Sequence, residues 1–175
     1  MSSVLKHKDE IKIRVSQLSN GLHEYHFSTV PSEIGLEENF TKPVLVDIVL
    51  DKESRQLYVK ADVRSSGIFL CDRCVEQFEQ SVSNHLNMFY VYDELESGKY
   101  PPDEVQVINH DTTYLDLTDD IRQIVTLSVP FKLLCKDDCK GLCPKCGINW
   151  NHATCNCKDE TADSRWEGLK KLISN

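Results

Sequence analysis

In Val44-Leu45-Val46-Asp47-Ile48-Val49-Leu50-Asp51-Lys52-Glu53-Ser54-Arg55-Gln56-Leu57-Tyr58-Val59-Lys60-Ala61-Asp62-Val63, two strands and their turn can be read directly. Val44 to Leu50 is rich in β-branched and apolar residues, which suit a pleated, half-buried surface. Asp51-Lys52-Glu53-Ser54 is a polar turn. From Gln56 to Val63 apolar and polar residues alternate, so a second strand returns antiparallel to the first. Toward the N-terminus, Ile11-Lys12-Ile13-Arg14-Val15 alternates in the same way, as does the segment around Leu22, Tyr25 and Phe27. Toward the C-terminus, Phe78 to Tyr92 is long and rich in aromatic and β-branched residues. The first two-thirds of the chain therefore read as antiparallel β-structure.

Beyond Tyr92 the pattern changes. Asp93 to Asp120 holds nine acidic residues and one basic one, Lys99, around Gly98, Pro101 and Pro102. It reads as a solvated loop or as an acidic docking segment for a cationic partner. Leu117, Ile121, Ile124 and Val125 then fall on one helical face. Asp116 or Thr118 can cap this helix, Asp119 and Asp120 suit its positive end, and Pro130 ends it. Ser164 to Ile173 opens on a Ser-x-x-Glu capping box and shares a face among Trp166, Leu169 and Ile173, predicting a short docking helix. The expectation is an α+β fold. A mainly antiparallel β domain with one core helix near 117–128 occupies residues 1–131. A cysteine-rich, zinc-binding tail ending in a short helix occupies 132–175.

The chain has eight cysteines, six of them between Cys135 and Cys157. Cys143-Pro144-Lys145-Cys146-Gly147 carries the strongest local signal. A Cys-x-x-Cys loop sets two sulfurs at adjacent tetrahedral vertices, and the glycine permits a tight turn that aims amide N–H groups at them. Cys155 and Cys157 can supply the other two vertices, and zinc is the ion favoured by four thiolates. Cys71 and Cys74, at the tip between two strands, form a second complete set with Cys135 and Cys139. One or two zinc ions are thus expected. A single ion could instead take four of the six clustered cysteines and leave Cys71 and Cys74 as a dithiol. His152 is a possible substitute ligand or an ordinary loop residue.

At 175 residues the chain can bury about 70% of its unfolded surface, so it does not need metal merely to fold. Its N-terminus shows no apolar signal segment, and no apolar run approaches the ~20 residues of a membrane span. A cytoplasmic or equivalent reducing compartment is expected, where clustered thiols bind metal rather than form disulfides. The net charge is −8, and two divalent ions on eight thiolates would make it more negative. Such a chain suits a basic partner better than bare phosphate.

No catalytic constellation is expected. A thioredoxin-type Cys-x-x-Cys opens a long helix, whereas strands flank this one. His23-Glu24-Tyr25-His26 is one residue short of His-Glu-x-x-His and lies in a strand. Cys143-Pro144-x-Cys146 inverts the deaminase order Pro-Cys-x-x-Cys. An all-cysteine site also leaves no coordination position open for a substrate.

The chain resembles the YceD family, the large ribosomal RNA subunit accumulation proteins. The matching residues are Cys71-Asp72-Arg73-Cys74 with Phe78, and Leu115-Asp116-Leu117. Most specific is Leu134-Cys135-x2-Asp138-Cys139-Lys140-Gly141-Leu142-Cys143-Pro144-x-Cys146-Gly147-x-Asn149-x-Asn151-x3-Cys155-x-Cys157, followed by Arg165-Trp166-x2-Leu169. Trp150 stands where the family usually has a smaller apolar residue. The resemblance implies an accessory factor without catalytic residues, working with a large-subunit ribosomal protein, ribosomal RNA, or both. It implies neither a membrane nor a small-molecule substrate. Two modes of action follow. Acidic surface could dock a basic ribosomal protein or a pre-ribosomal particle. Alternatively, the tail lysines Lys132, Lys136, Lys140, Lys145 and Lys158 could contact RNA, with Lys140 and Lys145 as the candidate nucleic-acid-binding pair. A thiol redox or metal-buffer protein is the third possibility.

Overall fold

The hairpin of residues 44–63 lies at the centre of the sheet. The computed structural model describes residues 11–157. Strands β1 (Lys12–Arg14), β2 (Gly21–Thr29), β3 (Val44–Lys52), β4 (Gln56–Leu70) and β5 (Gln77–Val91) precede a short helix α1 (Glu94–Ser97). Strands β6 (Val105–Val107) and β7 (Tyr114–Asp116) and helix α2 (Thr118–Leu127) follow. Strands β3 and β4 pair with Leu50 opposite Val59, Ile48 opposite Ala61 and Val46 opposite Val63. This register puts Val44, Val46, Ile48, Leu50, Leu57, Val59, Ala61 and Val63 on one face, and all are buried. Each large apolar side chain so buried is worth ~1.5–3 kcal/mol, which is why the alternation dictates the sheet. The opposite face carries Leu45, Asp47, Lys60, Asp62 and Arg64; on it Asp47 joins His26 (2.8 Å) and Arg64 across three strands.

The main sheet has order β2-β3-β4-β5-β6. Its first four strands are antiparallel, as the mainly antiparallel reading expects, and only the three-residue β6 runs parallel to its neighbour, β5. The physical reason is the connection: residues 92–104, including α1, carry the chain back before β6 starts, and parallel neighbours require such a crossover. Strand β4 also continues to Leu70, beyond the alternating stretch. The small and polar run Ser65-Ser66-Gly67 gives little apolar signal there. At Gly67 the segment before β3 pairs antiparallel with β4 through Phe40, and a Cβ would lie 2.3 Å from the Asn39 carbonyl oxygen. Ile68 N–H donates to that oxygen at 2.7 Å, and Phe40 packs edge-on against Phe69.

The buried face is closed by α2, which lies across β4 and β5, and by the β1–β7 ribbon. Ile11, Ile13, Val15, Leu115, Leu117, Ile121 and Val125 enter the same core. The N-cap position of α2 falls to Leu117, which has no side-chain cap, so neither Asp116 nor Thr118 fills it; the Asp116 carboxylate, one residue earlier, accepts the Thr118 N–H at 3.0 Å. The Thr118 hydroxyl oxygen accepts the Ile11 N–H at 2.9 Å, tying the helix start to β1. The acidic stretch is more structured than a solvated loop: it holds α1, β6, β7 and the start of α2. Several of its charges are paired, Asp116 with Lys12 at 3.3 Å and Asp119 with Arg122 at 2.9 Å. Lys158 and the helix expected over 164–173 lie outside the described residues. Among the described residues, no helix is long and apolar enough to cross a membrane.

Candidate metal centres

Between β4 and β5 the chain turns through Cys71-Asp72-Arg73-Cys74-Val75-Glu76. The Val75 N–H donates to the Cys71 carbonyl at 2.8 Å, and the Cys71 N–H donates to the Glu76 carbonyl at 2.9 Å. The tail repeats this turn. The Gly147 N–H donates to the Cys143 carbonyl at 2.9 Å, and the Cys143 N–H to the Ile148 carbonyl at 2.8 Å. Both knuckles need a left-handed residue just after the second cysteine. Gly147 meets this at φ 72° and Val75 at φ 60°. A β-branched residue is unusual there, costing ~1–3 kcal/mol of local strain.

The two spacer residues of the first knuckle hold the arriving tail. The Asp72 carboxylate accepts the Leu133 N–H at 2.7 Å, while the Asp72 N–H donates to the Leu133 carbonyl at 2.8 Å. The Arg73 guanidinium donates to the Cys139 carbonyl at 2.8 Å. Cys135 and Cys139 are thereby brought against Cys71 and Cys74. In this cluster Cys71 and Cys139 sulfurs lie 3.8 Å apart, and those of Cys74 and Cys135 lie 3.6 Å apart. In the tail, Cys143, Cys146, Cys155 and Cys157 form a second cluster; in each, all four sulfurs lie within 4.8 Å of one another. The upstream pair and Cys135/Cys139 thus occupy one place in the fold.

All eight thiols are free. Four sulfurs at tetrahedral vertices, with metal–sulfur bonds of ~2.3 Å, stand ~3.8 Å apart, against ~2.05 Å for a disulfide. The two separations in the first cluster fall at the tetrahedral spacing, and the 4.8 Å bound holds in both, so each cluster can hold a metal ion. The thiol chemistry points the same way. Burial pushes the Cys71 thiol up, but amide N–H groups of Cys135, Cys74 and Arg73 aimed at its sulfur bring it down to about 6. Cys155 is also held down at about 6, by the Trp150 indole N–H and the Cys157 amide. Conversely, burial and the neighbouring thiols push Cys135 up to about 12. Cys157 is pushed up to about 12 by Cys146 and by desolvation. Four crowded thiols cannot all ionise against one another, and a divalent cation removes that conflict.

His152 lies away from the second cluster's sulfurs and instead sits 2.8 Å from the Glu76 carboxylate. Lys140 and Lys145 are both exposed. Asp72 and Arg73, which belong to the family-like motif, and Glu76, which does not, carry no metal-ligand signal in the sequence; their roles beside the first cluster follow from the hydrogen bonds above. Asn149 and Asn151 stand in the family-like motif and Trp150 beside them, but what each does follows only from its contacts.

Fold and site together define a one-sided β-sheet protein bearing two four-cysteine clusters of the kind that bind metal. The family model "Large ribosomal RNA subunit accumulation protein YceD" matches residues 59–173. The chain belongs to that family. It is 30% identical over 166 residues to an uncharacterized protein of Mycobacterium tuberculosis, covering 91% of this chain and 78% of the relative. It is 23% identical over 162 residues to a chloroplastic large ribosomal RNA subunit accumulation protein YCED homolog of Arabidopsis thaliana, covering 74% of this chain and 48% of that protein. The corresponding Zea mays homolog is 25% identical over 157 residues, with 74% and 52% covered. The alignment spans about half the length of each plant relative. No solved structure matches the chain.

Proposed function

We propose that this chain is a non-enzymatic accessory factor for large-subunit ribosomal RNA accumulation and ribosome assembly. In this reading it acts in a reducing, cytoplasmic setting, holds two zinc ions, and docks a basic ribosomal protein or a pre-ribosomal particle. The observation that carries the assignment is the family match over 59–173, a span containing all eight cysteines. The donor chemistry supports zinc at Cys71/Cys74/Cys135/Cys139 and at Cys143/Cys146/Cys155/Cys157, because closed four-thiolate sets are typical of structural zinc. The net charge of −8 favours protein docking over RNA contact.

Crosslinking in cells, with bound RNA and protein identified together, tests the assignment. A large-subunit ribosomal protein or precursor particle is the expected catch, and its absence from the crosslinked material would sink the reading. Direct RNA contact through Lys140 and Lys145 is the second reading, favoured only by the exposure of those lysines. Binding of the purified chain to ribosomal RNA fragments across a salt series separates the two. A steep loss of affinity with salt, abolished by Lys140→Glu with Lys145→Glu, would establish RNA contact.

A further inference from the structure

The loop that closes the second cluster, residues 147–154, turns the side chains of Asn151 and His152 toward the first. Asn151 lies between Cys146 and Cys155, yet its side-chain amide donates to the Cys139 sulfur at 3.3 Å. Its carbonyl oxygen accepts the Lys140 N–H at 3.0 Å, fixing the backbone beside Cys139. His152, in the same loop, reaches Glu76 of the first knuckle at 2.8 Å. The Trp150 N–H donates to the Gly141 carbonyl at 2.9 Å, and the Leu142 N–H to the Arg73 carbonyl at 3.2 Å. One short run of hydrogen bonds thus joins the loop, the strand-like Leu142–Asn149 bridge and the first knuckle.

We infer that the two centres bind metal with positive coupling, and that Asn151 is the positioning residue that couples them. This rests on the reading that both clusters hold metal. An ion at the second centre orders the loop between Cys146 and Cys155. The ordered loop presents the Asn151 amide to the Cys139 thiolate, and an N–H donated to a ligand sulfur strengthens metal binding there. Linkage requires the reverse effect as well: an ion at the first centre holds Asn151, and so favours the second.

Trp150 makes the coupling measurable, because its indole N–H lies 3.5 Å from the Cys155 sulfur. The chain has two tryptophans, so Trp166→Phe leaves Trp150 as the single reporter of cobalt at the second centre. Co²⁺ is titrated into this reduced full chain against a competing chelator, with total bound metal measured in parallel. The expected result is two ions bound, and a second-centre affinity that falls ~10-fold when the first centre is removed by Cys71→Ser with Cys74→Ser. Asn151→Ala, with all eight cysteines intact, should reproduce that fall. Added to the Cys71→Ser/Cys74→Ser chain, Asn151→Ala should change nothing further, which separates coupling from local damage to the loop. Two ions bound by the parent chain, with the second-centre midpoint unmoved both in the Cys71→Ser/Cys74→Ser chain and in the Asn151→Ala chain, would overturn the coupling alone. A chain that binds no ion would overturn the metal reading and the coupling with it.

Discussion

The knuckle at Cys71–Glu76 joins two 15-residue strands, β4 and β5, whereas the one at Cys143–Ile148 lies among turns of the tail. Their backbones make the same pair of hydrogen bonds, so the difference lies in context. The first cluster ties residues 61 and 68 positions apart and has three buried cysteines. The second is closed within Cys143 to Cys157, with Cys146 and Cys157 exposed. Loop-closure entropy grows with the logarithm of loop length, and the fourfold difference in span is worth roughly 1 kcal/mol. One turn therefore serves two purposes. The first fastens the tail to the sheet, and the second gives the tail its own shape.

The largest effect should come from breaking the fastening. With metal at 100- to 1,000-fold above its dissociation constant, losing the first centre through Cys74→Ser should cost ~3–4 kcal/mol. Cys146→Ser should cost ~1 kcal/mol less, for the loop-length reason above. Thermal unfolding of the two metal-saturated variants measures this, and equal losses would erase the distinction between the centres. Hydrogen exchange should show residues 133–142 exposed in the first variant and retained in the second.

Next comes the left-handed residue. Gly147→Val should cost ~1–3 kcal/mol by importing the strain that Val75 already carries. Val75→Gly should recover less, because ~0.5–1 kcal/mol of the relief is offset by glycine's chain entropy. Urea midpoints of the two variants decide whether the knuckles respond with opposite signs. A smaller loss, ~1 kcal/mol, is expected for Arg73→Ala, which removes the donor to the Cys139 carbonyl. Faster exchange confined to the segment around Cys139 is its signature.

The smallest effect belongs to the sheet, away from either cluster. The hydrogen bond from His26 holds the Asp47 carboxyl below its ordinary 3.8; desolvation opposes this, and the Arg64 charge assists it. A depressed carboxylate contributes stability that is present above its unfolded value and lost as pH falls through its folded one. Asp47→Asn should therefore lose stability relative to the parent above pH 3.8 and converge with it in stronger acid. Melting both proteins at each pH cancels the metal release common to them.

Much of the sheet was legible because period-two alternation reports directly which residues share a buried face. It placed β3 and the first half of β4 to within a residue or two, as the helical spacing of Leu117, Ile121, Ile124 and Val125 did for α2. Alternation gives no signal at Ser65-Ser66-Gly67, where Gly67 leaves room for the backbone of Asn39 and Phe40 pairing with the strand. The direction of β6 was also hidden, since three residues carry no mark of whether their neighbour runs with or against them. In the tail, the spacing of Cys143, Cys146, Cys155 and Cys157 suggested a set because those sulfurs are close along the chain.

Local pattern and spacing were thus enough for the half-buried strands, the core helix and one compact cysteine cluster, since each depends on residues within about one element's length. Joining Cys71 and Cys74 to Cys135 and Cys139 depended on the folded chain. Cysteine count permits that pairing, but only the path of β4, β5 and the tail held by Asp72 and Arg73 brings the sulfurs together. The same holds for Val75, whose strained backbone no valine announces, and for Asn151, which lies in one cluster's loop and serves the other. Distances across 61 or more residues are set by packing, and packing leaves no periodicity to read.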